Sequence, residues 1–357
     1  MTPSDIEASK EGDKLETGRK WESSVERESL ISYCDAVIAP KLAAAEKQRL
    51  DLKPQRYRRL GIGTVLYVMV VFIIAKSTDN TVIIINALFL GVLILLYGLI
   101  RPPYKLVKMM KADIIPDMLS QLNWSYEEGF EKSTDFYHLN RNDVFPKWHS
   151  KHYRDKITGK IAGIPFTAFE IHMSHGGGDS EVNYDFFMIK VPAEKRFSGV
   201  TLIKTKRHKL DLNQRWVKAL SRVKFVSSKF ESLFDVYTSD NIEAQYLLPP
   251  NDIETITAFK ETLEGKKPNN WQVSLGDTAE ELSQIFNTDS INQARTTLDS
   301  MTFMQGHLYI VLGGSDFFEF KTKLQNFNDP EPIHKTLREI DLIHNIFDHF
   351  KSWMKPT

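Results

Sequence analysis

The chain has 357 residues with 46 lysine plus arginine residues and 46 aspartate plus glutamate residues, so its formal net charge is zero. A nucleic-acid-binding protein usually carries a basic excess, so this balance argues against that class. Cys34 is the single cysteine, which excludes an intrachain disulfide framework.

The N-terminal part of the chain is polar before it becomes helical in pattern. Residues 1–25 are rich in Glu, Lys, Ser and Gly and contain few apolar residues, a composition typical of disorder. From Glu26 onward, apolar residues recur at helical spacing. This pattern predicts a cytoplasmic helical segment over residues 26–59, which Pro40 is expected to kink or split.

Two apolar runs follow almost back to back. Leu60–Ala75 and Thr81–Ile100 contain no charged residue. The second run has the roughly 20 residues that a helix needs to cross a hydrocarbon core, and the first reaches that length if flanking basic side chains extend to the interface. The runs predict a transmembrane helical hairpin with helices over residues 60–76 and 81–100.

Basic residues flank both runs, whereas the loop between them is nearly neutral. The positive-inside rule places such flanks in the cytoplasm. We therefore expect a two-span protein of the bacterial inner membrane with both termini cytoplasmic and with membrane lipids among its partners. The flanking basic residues are Lys53, Arg56, Arg58, Arg59, Arg101, Lys105, Lys108 and Lys111.

Beyond the second run, residues 101–134 predict a juxtamembrane amphipathic helix, and residues 135–357 predict one cytoplasmic α+β domain. The helix is expected from Tyr104 to about Tyr126, with Pro116 as a point of interruption. Its apolar side carries several methionines, which suit either packing or an adaptable partner surface.

Within the α+β domain, strand patterns precede helix patterns. Strands are predicted on both sides of Gly163-Ile164-Pro165, then over Tyr184–Val191, Val200–Lys206, Arg222–Val226 and Phe234–Thr238. Further on, the sequence predicts a helix over Pro250–Leu263, a strand over Trp271–Leu275, a polar helix over Thr278–Ser300, a hairpin over Thr302–Leu312 with Gln305-Gly306 as its turn, and a long helix over Glu331–Trp353. The predicted fold is thus a membrane-anchored α+β protein: an N-terminal helix, a transmembrane hairpin, and a domain with a largely antiparallel sheet and a C-terminal helix.

Four of the ten histidines lie close together in sequence and form the candidate metal site. These are His149, His152, His172 and His175, followed by Asp179 in a glycine-rich loop. Imidazole and carboxylate groups are ligands for zinc and similar ions. In a strand, however, His172 and His175 would point to opposite faces, and no standard metal-binding spacing is present. No cofactor is predicted.

The second half of the chain carries strings that resemble a known family. In chain order, these segments are Phe197–Leu202, Ser228–Tyr237, Ser239–Pro250 and Gly306–Ile310. They resemble the bacterial family called domain of unknown function three-one-three-seven. The resemblance implies two spans followed by a soluble domain. It also implies a partner of the LemA type, a small membrane-anchored coiled-coil protein, and it implies no established reaction.

Most of the matched residues are apolar, which suits a shared fold rather than a shared active site. Asp240 and Glu243 are polar exceptions, and they fit either a helix start or a site. No nucleophile elbow, phosphate-binding loop or standard metal spacing is present.

Together these features favour a non-catalytic membrane-tethered module that binds a protein partner or lipid, and a homo-oligomer also fits. One alternative is a metal-dependent enzyme that uses the histidine group. A second is a subunit of a membrane transport assembly, although intramembrane charges are missing from both runs.

Overall fold

The computed structural model describes residues 21, 24–77, 89–91, 104–141, 144–177, 181–206, 220–264, 296–314, 317–318 and 330–356. The chain divides into two compact units. One comprises Met1–Ser24, Leu119–Phe318 and Arg338–Thr357, and the other comprises Val25–Met118 and Glu319–Leu337.

The second unit is helical. Helix α1 spans Val25–Tyr33, a π-helical turn spans Cys34–Ile38, helix α2 spans Ala39–Ser77, and helix α3 spans Tyr104–Ser120 and ends in the other unit. The π-helical turn ends two residues before Pro40, and the N–H of Ala39 bonds to the carbonyl of Cys34. Pro116 does not interrupt α3. Lys41 of α2 forms an ion pair with Asp117 of α3.

The predicted transmembrane hairpin, and with it the two-span inner-membrane localisation, is wrong. Over the described residues, no helix combines the length and the apolar content that crossing a membrane requires. Leu60–Ala75 is only 16 residues of the 39-residue helix α2, so the prediction depended on flanking side chains to reach the roughly 20 residues of a span. Thr81–Ile100 lies outside the described residues except for 89–91.

Large apolar side chains in the C-terminal half of α2 are exposed, and Val71 is buried. The exposed ones are Ile62, Val65, Leu66, Val68, Met69, Val70, Phe72 and Ile73.

The first unit is built on one sheet, and the predicted α+β class with a largely antiparallel sheet is confirmed. Its nine strands have the order β1-β2-β3-β4-β9-β8-β5-β7-β6, and all eight pairings are antiparallel. The strands are β1 Ser125–Glu127, β2 Ser150–Ile161, β3 Ile164–His175, β4 Val182–Pro192, β5 Thr201–Thr205, β6 Ser221–Val223, β7 Phe234–Thr238, β8 Thr297–Met304 and β9 His307–Gly313.

Two-residue turns close the β2–β3 and β8–β9 hairpins. Ala162 and Gly163 have φ of 49° and 77°, and Gln305 and Gly306 have φ of 53° and 72°. Positive φ at both turn positions matches the right-handed twist of antiparallel strands. The predicted turn at Gln305-Gly306 is therefore confirmed, and the other turn lies one residue earlier than the predicted Gly163-Ile164-Pro165.

Helices cover the sheet. The remaining helices are α4 Thr134–Asn140, α5 Ser228–Leu233, α6 Asn241–Leu247, α7 Pro250–Leu263 and α8 Glu331–Phe350, followed by a 3₁₀ turn over Lys351–Trp353. On one face, Phe136 of α4 belongs to a core cluster with Phe169 and Ile171 of β3. On the other face, Phe347 of α8 packs against Phe166, with ring centroids 5.5 Å apart.

Several local predictions were wrong or fall outside the described residues. Helix α4 lies in a stretch for which the sequence predicted no helix or strand, and β8 begins at Thr297, inside the predicted polar helix Thr278–Ser300. The rest of that helix and the predicted strand Trp271–Leu275 lie outside the described residues.

Candidate functional site

The four candidate histidines lie at one end of the β2–β3 hairpin and form two cross-strand pairs on opposite faces. His152 is the register partner of His172, and Ser150 is the register partner of Ser174. Because side chains alternate along a strand, His152 and His172 share one face. His149 and His175 occupy the other face, where their rings stack with centroids 4.7 Å apart. The structure therefore does not bring all four imidazoles together.

On the first face, His172 is oriented by a carboxylate. Its Nδ1 lies 2.6 Å from Oδ1 of Asp185, its register partner on β4. About a quarter of each side chain is exposed. A carboxylate at Nδ1 leaves the lone pair of Nε2 available, which is the arrangement that orients a metal ligand or a general base.

On the second face, the ring geometry is unfavourable for a metal. Nδ1 of His149 accepts a hydrogen bond from the N–H of Gly176 at 3.1 Å, so Nε2 carries the proton of the neutral ring. Asp179 lies outside the described residues. Among the residues that the structure describes, no group of three or more His, Cys, Asp or Glu side chains is placed to hold a metal ion.

The predicted basic flanks lie mainly on two helices. Lys53, Arg56, Arg58 and Arg59 belong to α2, and Lys105, Lys108 and Lys111 belong to α3. Arg58 is exposed, Lys111 is half-buried, and Arg101 lies outside the described residues.

Cys34, the single cysteine, is buried in the π-turn. Burial raises the pKa of its thiol to about 11, with a smaller contribution from Asp35. Because the thiolate is the reactive form, this side chain is not a nucleophile at neutral pH.

The family-like segment contains two carboxylates with different structural tasks. Asp240 caps α6 by accepting hydrogen bonds from the N–H groups of Ile242 and Glu243. The carboxylate of Glu243 instead accepts from the N–H groups of Ser198 at 2.6 Å and Gly199 at 2.9 Å. Both polar exceptions therefore have structural partners, and Glu243 fixes the turn that leads into β5.

Exposed apolar side chains near the β6 edge of the sheet are a feature that the sequence did not reveal. Strand β6 is an edge strand, and Ser221 of β6 donates a hydrogen bond to the side chain of Asn241, the first residue of α6. On α6, Ile242 and Tyr246 are 81% and 57% exposed, and Val226 after β6 is fully exposed. We call Ile242 and Tyr246 the β6-edge surface; Val226 lies toward the other end of β6, because Ser221 pairs with Thr238 and Val223 pairs with Val236.

A sequence signal for this surface existed in the pattern of α6. Ile242 and Tyr246 are four residues apart and lie on one side of the helix, whereas Ala244 and Leu247 are buried. A short helix that is apolar on two sides indicates an additional contact surface. Of these residues, only Leu247 was interpreted as a core position because of its residue type, and no role was assigned to Ile242 or Tyr246.

Comparisons with known proteins support the family resemblance. The model of the family described as "Protein of unknown function (DUF3137)" matches residues 186–279, which include β5, β7 and α6. The resemblance is thus confirmed over this part of the chain. No curated protein matches the chain.

One solved structure is similar over part of the chain. It is described as the crystal structure of the mycobacterial trehalose monomycolate transport factor A, TtfA. The sequence identity is 10%, the match covers 66% of this chain and 90% of that chain, and the TM-score is 0.28. A likeness at this TM-score carries no argument about fold or function.

Proposed function

We propose that this protein is a non-catalytic binding module that recognises a protein partner through the β6-edge surface. The observation that carries the proposal is the exposure of Ile242 and Tyr246 on the same side of α6, beside an edge strand. Neighbouring apolar side chains that water surrounds are typical of interaction sites, and aromatic residues are enriched there.

The surroundings of this surface hold it in place. Ala244 and Leu247 anchor the opposite side of α6 in the core, and Lys195 donates hydrogen bonds to the last carbonyls of the helix, those of Tyr246 and Leu247. Lys195 also pairs with Asp252 at 3.0 Å. A rigid apolar surface loses little conformational freedom when a partner binds.

The non-catalytic part of the proposal rests on chemistry. The one thiol is buried and has a raised pKa, and the two conspicuous carboxylates of the family-like segment bind backbone N–H groups. The family resemblance makes a LemA-type protein the first partner to test.

The test measures binding of the purified full chain to a LemA-type protein from the same source. The double variant Ile242→Asp/Tyr246→Asp should weaken binding at least about tenfold, since each buried apolar side chain contributes roughly 1.5–3 kcal/mol. The matched control is Tyr137→Asp on α4, where the replaced ring is 63% exposed. Equal losses of affinity in the two variants would contradict the assignment of binding to the β6-edge surface. An absence of binding by the wild type would contradict the choice of a LemA-type protein as the partner. Self-association that the double variant abolishes would make a second copy of the chain the partner.

A metal-dependent reaction at His172 is the second candidate function. The observation in its favour is the orientation of the imidazole by Asp185, with His152 opposite on β2. Two imidazoles and water could complete a divalent site, and elemental analysis of the purified chain tests it.

A further inference from the structure

A tryptophan near the N-terminus fills a pocket on the sheet domain. The indole of Trp21 is 5% exposed, although it lies 320 residues away in sequence from its hydrogen-bond partner Asp341. Its ring stacks on the imidazole of His344 with centroids 3.5 Å apart and planes 6° apart. A parallel stack of this kind removes one face of each ring from water and favours a flat aromatic ring at this position.

The pocket also has a built hydrogen-bond acceptor. Nε1 of Trp21 donates to Oδ1 of Asp341 at 2.7 Å, and Asp341 is only 4% exposed. Asp341 and His344 are three residues apart on α8, so they face the same side of the helix. A hydrogen bond to a buried carboxylate is stronger than one between neutral groups, and only a ring with an N–H donor at this position can make it.

Trp124 completes the pocket. Its indole stacks on His344 with centroids 5.3 Å apart and meets Phe166 edge to face at 4.9 Å. Nε1 of Trp124 donates to the carbonyl of Lys160. Burial lowers the pKa of His344 to about 3, so its ring is neutral at physiological pH. Trp124 is thus held by Phe166 of β3 and Lys160 of β2, and its ring stacks on His344 of α8.

We propose that the pocket formed by Trp124, Asp341 and His344 is an indole-binding site, and that Trp21 is an exchangeable occupant supplied by the same chain. The site recognises a flat aromatic ring through His344 and an indole N–H through Asp341. It can therefore accept the tryptophan of another segment when Trp21 leaves. This site shares no residue with the β6-edge surface, so the proposal does not rest on the proposed function.

The test uses the full chain with Trp21→Ala, and N-acetyl-L-tryptophanamide is the probe. Isothermal titration calorimetry measures the binding of the probe to the chain. The variant should bind one probe molecule per chain, and the wild type should bind at least tenfold more weakly because Trp21 competes. N-acetyl-L-phenylalaninamide, which lacks the N–H donor, should bind the variant at least fivefold more weakly. Adding Asp341→Asn to Trp21→Ala should weaken probe binding at least tenfold.

Trp148→Ala is the matched control, because it removes a partly buried tryptophan that lies outside the pocket. It should not create probe binding. A folded Trp21→Ala protein that does not bind the probe would overturn the proposal, and so would equal binding by the wild type. A Trp21→Ala protein that fails to fold, as judged by circular dichroism, would also overturn it, because an exchangeable occupant cannot be required for folding. Wild-type dimers that disappear with Trp21→Ala would show that Trp21 enters the pocket of a second copy, which overturns the same-chain occupancy.

Discussion

The carboxylate of Glu243 accepts the backbone N–H of Gly199 at 2.9 Å, and this bond ties helix α6 to the turn before β5. The same carboxylate accepts the N–H of Ser198. Two backbone donors that are 44 and 45 residues away in sequence thus depend on one side chain.

Replacing Glu243 by Ala should destabilise the protein by about 1–3 kcal/mol, because both N–H groups lose a charged acceptor. Urea denaturation measures the change in the free energy of unfolding. Glu254→Ala, at an exposed position of α7, is the control and should stay within about 0.5 kcal/mol of the wild type. Equal values for the two variants would show that the bonds contribute nothing.

Gly199→Ala should be destabilising for a steric reason. A Cβ atom at this position would lie 2.3 Å from Oγ of Ser239 and 2.7 Å from Oε2 of Glu243, so both side chains would have to move. We expect a loss of about 1–3 kcal/mol, as for other overpacked sites. A Cβ at Gly177 meets nothing within 4 Å, so Gly177→Ala should be nearly neutral in the same denaturation experiment. A neutral Gly199→Ala would mean that the turn adapts freely.

The stability of the sheet domain should fall as the pH drops below about 6.5. Burial lowers the pKa of His344 to about 3 in the folded chain, whereas an unfolded histidine has a pKa of about 6.5. Between these pH values the unfolded chain binds one more proton than the folded chain. Each unit decrease in pH therefore lowers the free energy of unfolding by up to about 1.4 kcal/mol. Urea denaturation at pH 7.5, 6 and 5 measures the slope.

His344→Phe keeps a flat ring against the indoles of Trp21 and Trp124 and removes the titrating imidazole. Its stability should therefore depend less steeply on pH than that of the wild type. Identical slopes for the two proteins would assign the acid sensitivity to other groups.

The histidine group should hold well under one metal ion per purified chain. His149 and His175 lie on the opposite face from His152 and His172, so no single ion can contact all four rings. Elemental analysis of the full chain measures the metal content. Stoichiometric zinc that disappears with His152→Asn/His172→Asn, but persists with His149→Asn/His175→Asn, would support the metal-dependent alternative.

The start of a stable sheet domain should lie near Leu119 rather than near Asp135. Trp124 is 4% exposed, and β1 adds three register pairs to β2. A chain of residues 119–357 should therefore melt cooperatively and at a higher temperature than a chain of residues 135–357. Thermal denaturation followed by circular dichroism compares the two, and equal melting temperatures would show that β1 and Trp124 are dispensable.

Local signals in the sequence predicted much of the fold. Gln305-Gly306 predicted its hairpin because positive φ suits few residue types, and the apolar periodicity of Glu331–Trp353 predicted α8. The strand order could not be predicted, because the pairing of β4 with β9 depends on contacts between residues that are far apart in sequence. The membrane prediction treated Leu60–Ala75 as a separate span, whereas this run continues helix α2 from the charged residues that precede it.

At the candidate site, too, local signals predicted some features, and contacts between residues far apart in sequence were missed. The three-residue spacing of His172 and His175 correctly predicted opposite faces of a strand. The partner of His172 was missed, since Asp185 lies on the next strand and carries no motif. Trp21 was missed as well, because a single tryptophan in a polar segment gives no periodic signal.

The position of the β8–β9 hairpin in the middle of the sheet has a consequence for biosynthesis. Among the described strands, β4 pairs with β3 and β9, and β5 pairs with β7 and β8, yet β8 begins at Thr297. Until β8 and β9 have been synthesised, one edge of β4 and one edge of β5 lack the strands that cover them in the folded protein. Such edges are templates for pairing with other polypeptides, and joining them late imposes slow folding through distant contacts. This protein should therefore depend on chaperones during synthesis more than its final stability would suggest.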